Sequence, residues 1–399
     1  MIRSARRIEN VRYAIRNVAA EARRLEGLGR EITYCNIGDP LKFDFRTPPH
    51  LVEAVCRAMR EGDNGYAPSA GTLEARRAIA EDEQRRGILD VTAEDVVVTA
   101  GASEAIELVL TALLEPGESV LLPAPGYPLY NAVAAKLGVE VETYYPDELQ
   151  GWSVDPEEIA SRVTPKTRAI VLCNPNNPTG AVYPKEALEG VLEIARRHNL
   201  LVLSDEIYAR LTFDQPHLAT ASLAKDVAIV TFGGLSKTYL ACGWRVGWLS
   251  FCNSHLMPDL KAAVLRLCDA RLSSPGPAQA AIAPALEGNL DHLPEMMARL
   301  RARREVLTSR VRGIPGLSLV TPGAAFYALA RVTHPEVTHD EQFVLELLRE
   351  TGVLFVHGSG FGQKPGTHHF RVVFLPPPEV LDRAFDKVEA FMLSRYPVR

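Results

Sequence analysis

Three short runs in this sequence hold side chains able to do covalent chemistry on a small molecule. The first is Gly233-Gly234-Leu235-Ser236-Lys237-Thr238, with Arg245 eight residues beyond the lysine. A lysine amine adds to carbonyl carbons and, once free, serves as a general base, while an arginine fork suits phosphate or carboxylate. The second is Ser204-Asp205-Glu206-Ile207-Tyr208, a carboxylate with a phenol three residues on. The third, Asn174-Pro175-Asn176-Asn177-Pro178-Thr179-Gly180, presents amides where two prolines restrict the backbone. Each has a plain explanation when taken alone: a solvated lysine, a helix-capping aspartate, a turn of Asn and Pro. They acquire joint chemistry only if the fold brings them to one place.

The pattern of elements predicts that it does. Apolar runs recur at Val96 to Thr99, Ser119 to Leu122, Val139 to Tyr144, Arg168 to Cys173, Leu200 to Ser204, Ala228 to Phe232 and Val246 to Phe251. Several lack polar alternation, as strands buried on both faces do. Helical stretches lie between them, including Ser103 to Leu114, Tyr127 to Leu137 and Lys185 to His198. The expected fold class is α/β: a mainly parallel seven-stranded sheet between helices, followed by a smaller α+β domain. In such a sheet ligands sit beyond the carboxyl ends of the strands, where all three loaded runs fall.

Two phosphate-loop patterns are excluded by spacing. Ser236 and Thr231 stand where the nucleotide loop requires glycine relative to Lys237, and Gly358-Ser359-Gly360-Phe361-Gly362 lacks the G-x-G-x-x-G interval. The net charge of -5 offers no broad grip on nucleic acid. No apolar run approaches a membrane span, and the arginines near the start are interrupted by Glu9 and Glu21, unlike a transit segment. Six cysteines stand apart without a C-x-x-C pair, which suits reduced thiols in a cytoplasmic protein and predicts no metal site.

Together, Asn174 to Gly180, Asp205-Glu206-Ile207-Tyr208 and Ser236-Lys237 followed by Gly243-Trp244-Arg245-Val246-Gly247 resemble the class I/II aminotransferases, the aspartate-aminotransferase-like family of pyridoxal-phosphate enzymes. The likeness runs from about Tyr13 into the C-terminal domain. Asn36-Ile37-Gly38-Asp39-Pro40, Gly65-Tyr66 and Pro123-Ala124-Pro125-Gly126-Tyr127-Pro128 look closest to the bacterial alanine aminotransferases. The resemblance implies that pyridoxal 5'-phosphate forms a Schiff base with Lys237, that Asp205 pairs with its pyridine nitrogen, and that Tyr208 and Asn177 bond its phenolic oxygen. It implies a phosphate cradle of Ala102, Ser103, Ser236 and Arg245, stacking by Tyr127, and a homodimer in which Tyr66 reaches the neighbouring phosphate. Substrate contacts fall to Gly38, Asn177 and Arg371, with Tyr13 and Arg16 turned toward the second carboxylate of glutamate. Gly234 departs from the aspartate-specific branch, which has a serine there, and Cys242 has no assigned role.

The reaction so implied is ping-pong transfer of an amino group between L-alanine, or a similar small amino acid, and 2-oxoglutarate. Another amino-acid specificity, a C–S β-lyase or an aminocyclopropane-forming synthase would use the same cofactor residues. An effector domain of a transcription regulator would normally carry an added DNA-binding module. The expected organisation is an N-terminal segment, residues 1–50, packing with the small domain; a large cofactor domain, 51–285; and a small domain, 286–399.

Overall fold

A computed structural model describes residues 2–11 and 15–397, with the side chains of residue 10 and residues 15–17 outside it. The strands are β1 (Thr33–Tyr34), β2 (Val96–Thr99), β3 (Ser119–Pro123), β4 (Glu140–Tyr144), β5 (Thr167–Cys173), β6 (Leu201–Asp205), β7 (Ile229–Gly234), β8 (Gly247–Cys252), β9 (Leu317–Leu319), β10 (Tyr327–Val332), β11 (Val353–Leu354), β12 (Val356–His357) and β13 (His369–Val373). Seven of them form one sheet in the order β2-β8-β7-β6-β5-β3-β4.

Successive residues of a strand face opposite sides, and here both sides are apolar. Ile170, Leu172, Val202 and Ile229 pack with the helices Leu73–Arg85 and Lys185–His198. Ala169, Val171, Leu203 and Val230 pack with Ala102–Leu113, Pro128–Leu137 and Pro258–Arg271 on the other side. Continuous apolar runs are therefore the expected sequence of a sheet covered on both faces. The helix Lys185–His198 starts after Pro184, ends in Arg196, Arg197 and His198, and is closed by Asn199 in the left-handed conformation.

One strand departs from the parallel repeat. β8 runs antiparallel to both β7 and β2, pairing Gly247 with Gly234 on one side and with Thr99 on the other. Its amino end, not its carboxyl end, thus lies at the edge where β5, β6 and β7 finish. That reversal lets Arg245, which precedes β8, stand beside residues that follow the other strands.

After the helical run from Pro277, which breaks at Gly288, the helix His292–Gly313 leads into a second sheet. It is antiparallel, in the order β12-β13-β10-β9. The N-terminal segment joins this region. β1 pairs in parallel with β11, and Val18, Ala22, Leu25 and Cys35 are buried in one cluster with Leu347, Leu354 and Phe355. Among the described residues no helix is long and apolar enough to cross a membrane.

Candidate active site

A cavity of about 310 Å³ opens at the carboxyl edge of the large sheet. It is lined by Gly38, Ala102, Ser103, Tyr127, Asn177, Asp205, Tyr208, Ser236, Lys237, Arg245 and Arg371. Residues separated by more than three hundred positions are therefore brought together as the sequence motifs predict. Tyr66 lies elsewhere on the described chain and is 83% exposed. Tyr13 falls outside the described residues, and Arg16 sits at the start of the helix Ile15–Gly27 with its side chain outside them.

The floor is built by strand ends. Asp205, the last residue of β6, stands between Cys173 of β5 and Phe232 of β7 in the sheet register. Burial pushes its carboxyl up to about 6, against the opposing pull of the Ile207 N–H and the Tyr130 hydroxyl. That hydroxyl donates to Asp205 Oδ2 at 3.2 Å from a fully buried ring. A carboxylate so desolvated is poised for a cationic partner in the cavity. Lys237 reaches in from the turn after β7, and its Nζ donates to the Gly38 carbonyl at 2.9 Å.

The Asn-Pro loop divides its amides between scaffold and site. Asn174 accepts from the Tyr183 N–H, and Asn176 accepts from the Thr179 N–H and hydroxyl, so both hold the loop. Asn177 faces the cavity, and its Oδ1 accepts from Arg371 Nη1 at 3.2 Å. Arg371 also donates to the Asn36 carbonyl at 2.7 Å, and its guanidinium lies over the rings of Phe361 and Tyr327. It is a buried, fixed cation on β13, not a solvated strand residue.

An anion cradle lies on the other side. The helix Ala102–Leu113 opens at the cavity after Gly101, whose φ of +83° suits only glycine. A Cβ at Gly101 would meet Arg245 Nη2 at 2.4 Å, and one at Gly247 would meet the Ala102 nitrogen at 2.4 Å. Both glycines thus let the arginine and the helix start approach each other. Arg245 has a positive φ of 55°, uncommon for its type, and its Nη1 donates to the Cys242 carbonyl. Gly234 has no room for a side chain, since a Cβ would stand 2.9 Å from the Val246 carbonyl oxygen. A serine there would have to displace backbone. Cys242, without a role in sequence terms, lines the cavity and directs its Sγ to the Ser236 carbonyl at 2.7 Å, closing the turn that carries Lys237.

Sequence reasoning missed Tyr130, Tyr327, Asn36 and Ile37 as parts of the site or its support. Tyr130 lies three residues past Tyr127, within a helix whose apolar face accounts for it fully. Tyr327 sits in an apolar run that reads as core.

This chain belongs to the class I and II aminotransferases, whose family model matches residues 31–388. It is 38% identical to the glutamate-pyruvate aminotransferase AlaA of Escherichia coli over 98% of each chain. It is also 38% identical to the alanine aminotransferase of Mycobacterium tuberculosis, over 97% of this chain and 92% of that one. Among solved structures, the alanine aminotransferase of Pyrococcus furiosus superposes with a TM-score of 0.96 at 43% identity, covering 98% of this chain and 100% of the other. The protein is accordingly an aminotransferase, and the family's cofactor is pyridoxal 5'-phosphate. The residues present fit that cofactor: a lysine amine, a buried carboxylate needing a cation, and a helix start with an arginine drawn against Gly101 all face one cavity.

Proposed function

We propose that the chain moves an amino group between L-alanine and 2-oxoglutarate with its cofactor held on Lys237. The observation that carries this reading is the convergence of Lys237, Asp205 and Arg371 on one cavity, in a chain 38% identical to relatives named for alanine or for glutamate and pyruvate. When bound, pyridoxal phosphate supplies an electron sink for the bond-breaking step. The chain does the rest. Lys237 Nζ would hold the cofactor and, as a free amine, would carry the proton between the substrate α-carbon and the cofactor's C4' carbon. Asp205 would pair with the ring nitrogen and keep it protonated. Tyr208 donates to the phenolic oxygen, and burial holds its phenol well above the usual range, so it remains a donor. Asn177 has its oxygen engaged by Arg371, which leaves its amide N–H groups to donate to the same phenolic oxygen.

Arg371 receives the α-carboxylate. Gly38 gives that end of the cavity room, Tyr127 would cover the cofactor ring, and Ala102, Ser103, Ser236 and Arg245 would take its phosphate. Tyr66, solvent-exposed on one chain, is assigned to the phosphate of a second copy, which makes the active unit a homodimer. Tyr13 and Arg16 are assigned to the second carboxylate of glutamate. We divide the chain into a large lobe, residues 51–285, and a small lobe, 286–399, with 1–50 packing on the latter; the pairing of β1 with β11 supports this. The free cysteines suit a cytoplasmic location.

The test is the visible spectrum of cofactor-loaded protein during addition of L-alanine and then 2-oxoglutarate. Alanine should bleach the band with release of pyruvate, and 2-oxoglutarate should restore it. A band indifferent to alanine but bleached by another amino acid would overturn the substrate assignment. Ammonia release without a recoverable band would replace transamination by elimination.

A further inference from the structure

Tyr327 occupies a position that the motifs do not explain. It opens β10, is 3% exposed, and lines the cavity between the two groups that handle opposite ends of the reaction. Its hydroxyl accepts from that of Tyr208 at 3.0 Å, with the rings edge to face at 5.6 Å. The Arg371 guanidinium lies 5.0 Å from its ring centroid. Gly38 makes room for the same hydroxyl, since a Cβ there would stand 2.1 Å from Tyr327 Oη. The backbone of Gly38 in turn accepts from Lys237. A residue kept only for packing could end in Phe, as its neighbour Phe326 does.

Resting on the aminotransferase reading, we propose that Tyr327 is a positioning residue that relays the state of the carboxylate clamp Arg371 to Tyr208, and so sets how strongly Tyr208 donates to the cofactor's phenolic oxygen. A phenol has one proton and two lone pairs. When Tyr208 turns its proton to the cofactor, its oxygen is left as an acceptor within reach of Tyr327. Donors in a chain polarise one another, so donation from Tyr327 strengthens donation from Tyr208. The charge of Arg371 over the Tyr327 ring draws electron density from that phenol and improves its O–H as a donor. A substrate carboxylate that neutralises Arg371 relaxes the chain. Binding at the clamp is thereby felt at the phenolic oxygen through Tyr327 and Tyr208, beside the direct bond from Arg371 to Asn177.

The experiment is a pH titration of the visible band of the Lys237-bound cofactor in wild type, Tyr327→Phe, Tyr208→Phe and the double variant, with and without propionate as an unreactive carboxylate. Phe keeps the ring contacts and removes only the hydroxyl. Tyr327→Phe should raise the midpoint by roughly a tenth to a third of the rise produced by Tyr208→Phe, the share expected for one donor in a polarised chain. It should add nothing in the Tyr208→Phe background, and propionate should move its midpoint less than that of wild type. A midpoint unchanged by Tyr327→Phe, or an equal shift in both backgrounds, overturns the relay while alanine still bleaches the wild-type band. If wild type shows no such band, the aminotransferase reading fails and takes the relay with it.

Discussion

The cavity has two halves of different origin. The half proposed to hold the cofactor is made of strand ends: Asp205 closes β6, Asn177 stands in the loop after β5, and Lys237 in the turn after β7. The half proposed to take the substrate is made of segments distant in sequence, with Asn36 and Gly38 from the N-terminal stretch, Tyr327 from β10 and Arg371 from β13. A parallel sheet places consecutive crossovers at one edge by its own geometry, so local motifs suffice to specify the first half. The second half depends on how β1, β10 and β13 pack around the same cluster, which no short motif records. Variants in the first half should therefore change the bound cofactor itself. Those in the second should keep the visible band, with Tyr327 moving only its pH midpoint, and change chiefly what the cofactor reacts with.

Lys237→Ala has the largest expected effect. It removes both the proposed anchor and the proposed base, so turnover should fall by at least roughly 10⁴-fold, the upper range of proton-transfer contributions. The visible band should vanish even where cofactor is retained. A surviving band would break the assignment of the anchor.

Asp205→Asn should lower turnover by about 10³-fold, as for loss of one partner of a buried charge pair. Its stability effect has the opposite sign in the cofactor-free protein. Burial raises the carboxyl to about 6 from its ordinary 3.8. The stability linked to this group is present below the unfolded value and is lost as pH rises through the folded one. At pH 7 the penalty is on the order of 3 kcal/mol. Cofactor-free Asp205→Asn should thus be more stable than wild type at pH 7 and gain little at pH 4, as denaturant titration would show. Equal gains at both pH values would mean that the carboxylate is not the strained group.

The two halves also differ in how much of them could be read beforehand. Six strands of the large sheet were legible from apolar runs and the edge strand β4 from its alternation, and the strand ends then pointed to Asp205 and Lys237. The reversal of β8 was not, since periodicity carries no strand direction. The reason Arg245 reaches the site is that reversal, together with Gly101 and Gly247. Tyr130 was hidden because an apolar helix face explains a tyrosine as well as a hydrogen bond to Asp205 does. Arg371 was identified only by family resemblance, its bonds to Asn36 and Asn177 spanning 335 and 194 residues.

Arg371→Gln sharpens the contrast between halves. The visible band should be retained, while kcat/KM for L-alanine falls about 100- to 1,000-fold, within the range for truncating one member of a buried charge pair. Loss of the band in this variant would show that the halves are not separable, and that the bond from Arg371 to Asn177 holds the cofactor side in place.

The smallest and most selective effect is expected at Arg16, by counting charges. The described cations lining the cavity are Lys237, Arg245 and Arg371. In the proposed reaction Arg245 meets the phosphate, Arg371 meets the α-carboxylate, and Lys237 moves protons. Glutamate and 2-oxoglutarate bring one more carboxylate than alanine and pyruvate, and no described lining cation is left for it. The helix Ile15–Gly27 can supply one: Ala19 and Arg23 line a neighbouring cleft together with Asn36 and Ile37, which also wall the cavity. Arg16 lies one turn before Ala19 on that helix. Arg16→Ala should raise KM for glutamate and 2-oxoglutarate about 10- to 100-fold, as for a partly solvated charge pair, and leave alanine and pyruvate nearly unchanged. Equal losses for all four substrates would assign Arg16 to the fold of the N-terminal segment instead of to the choice of substrate.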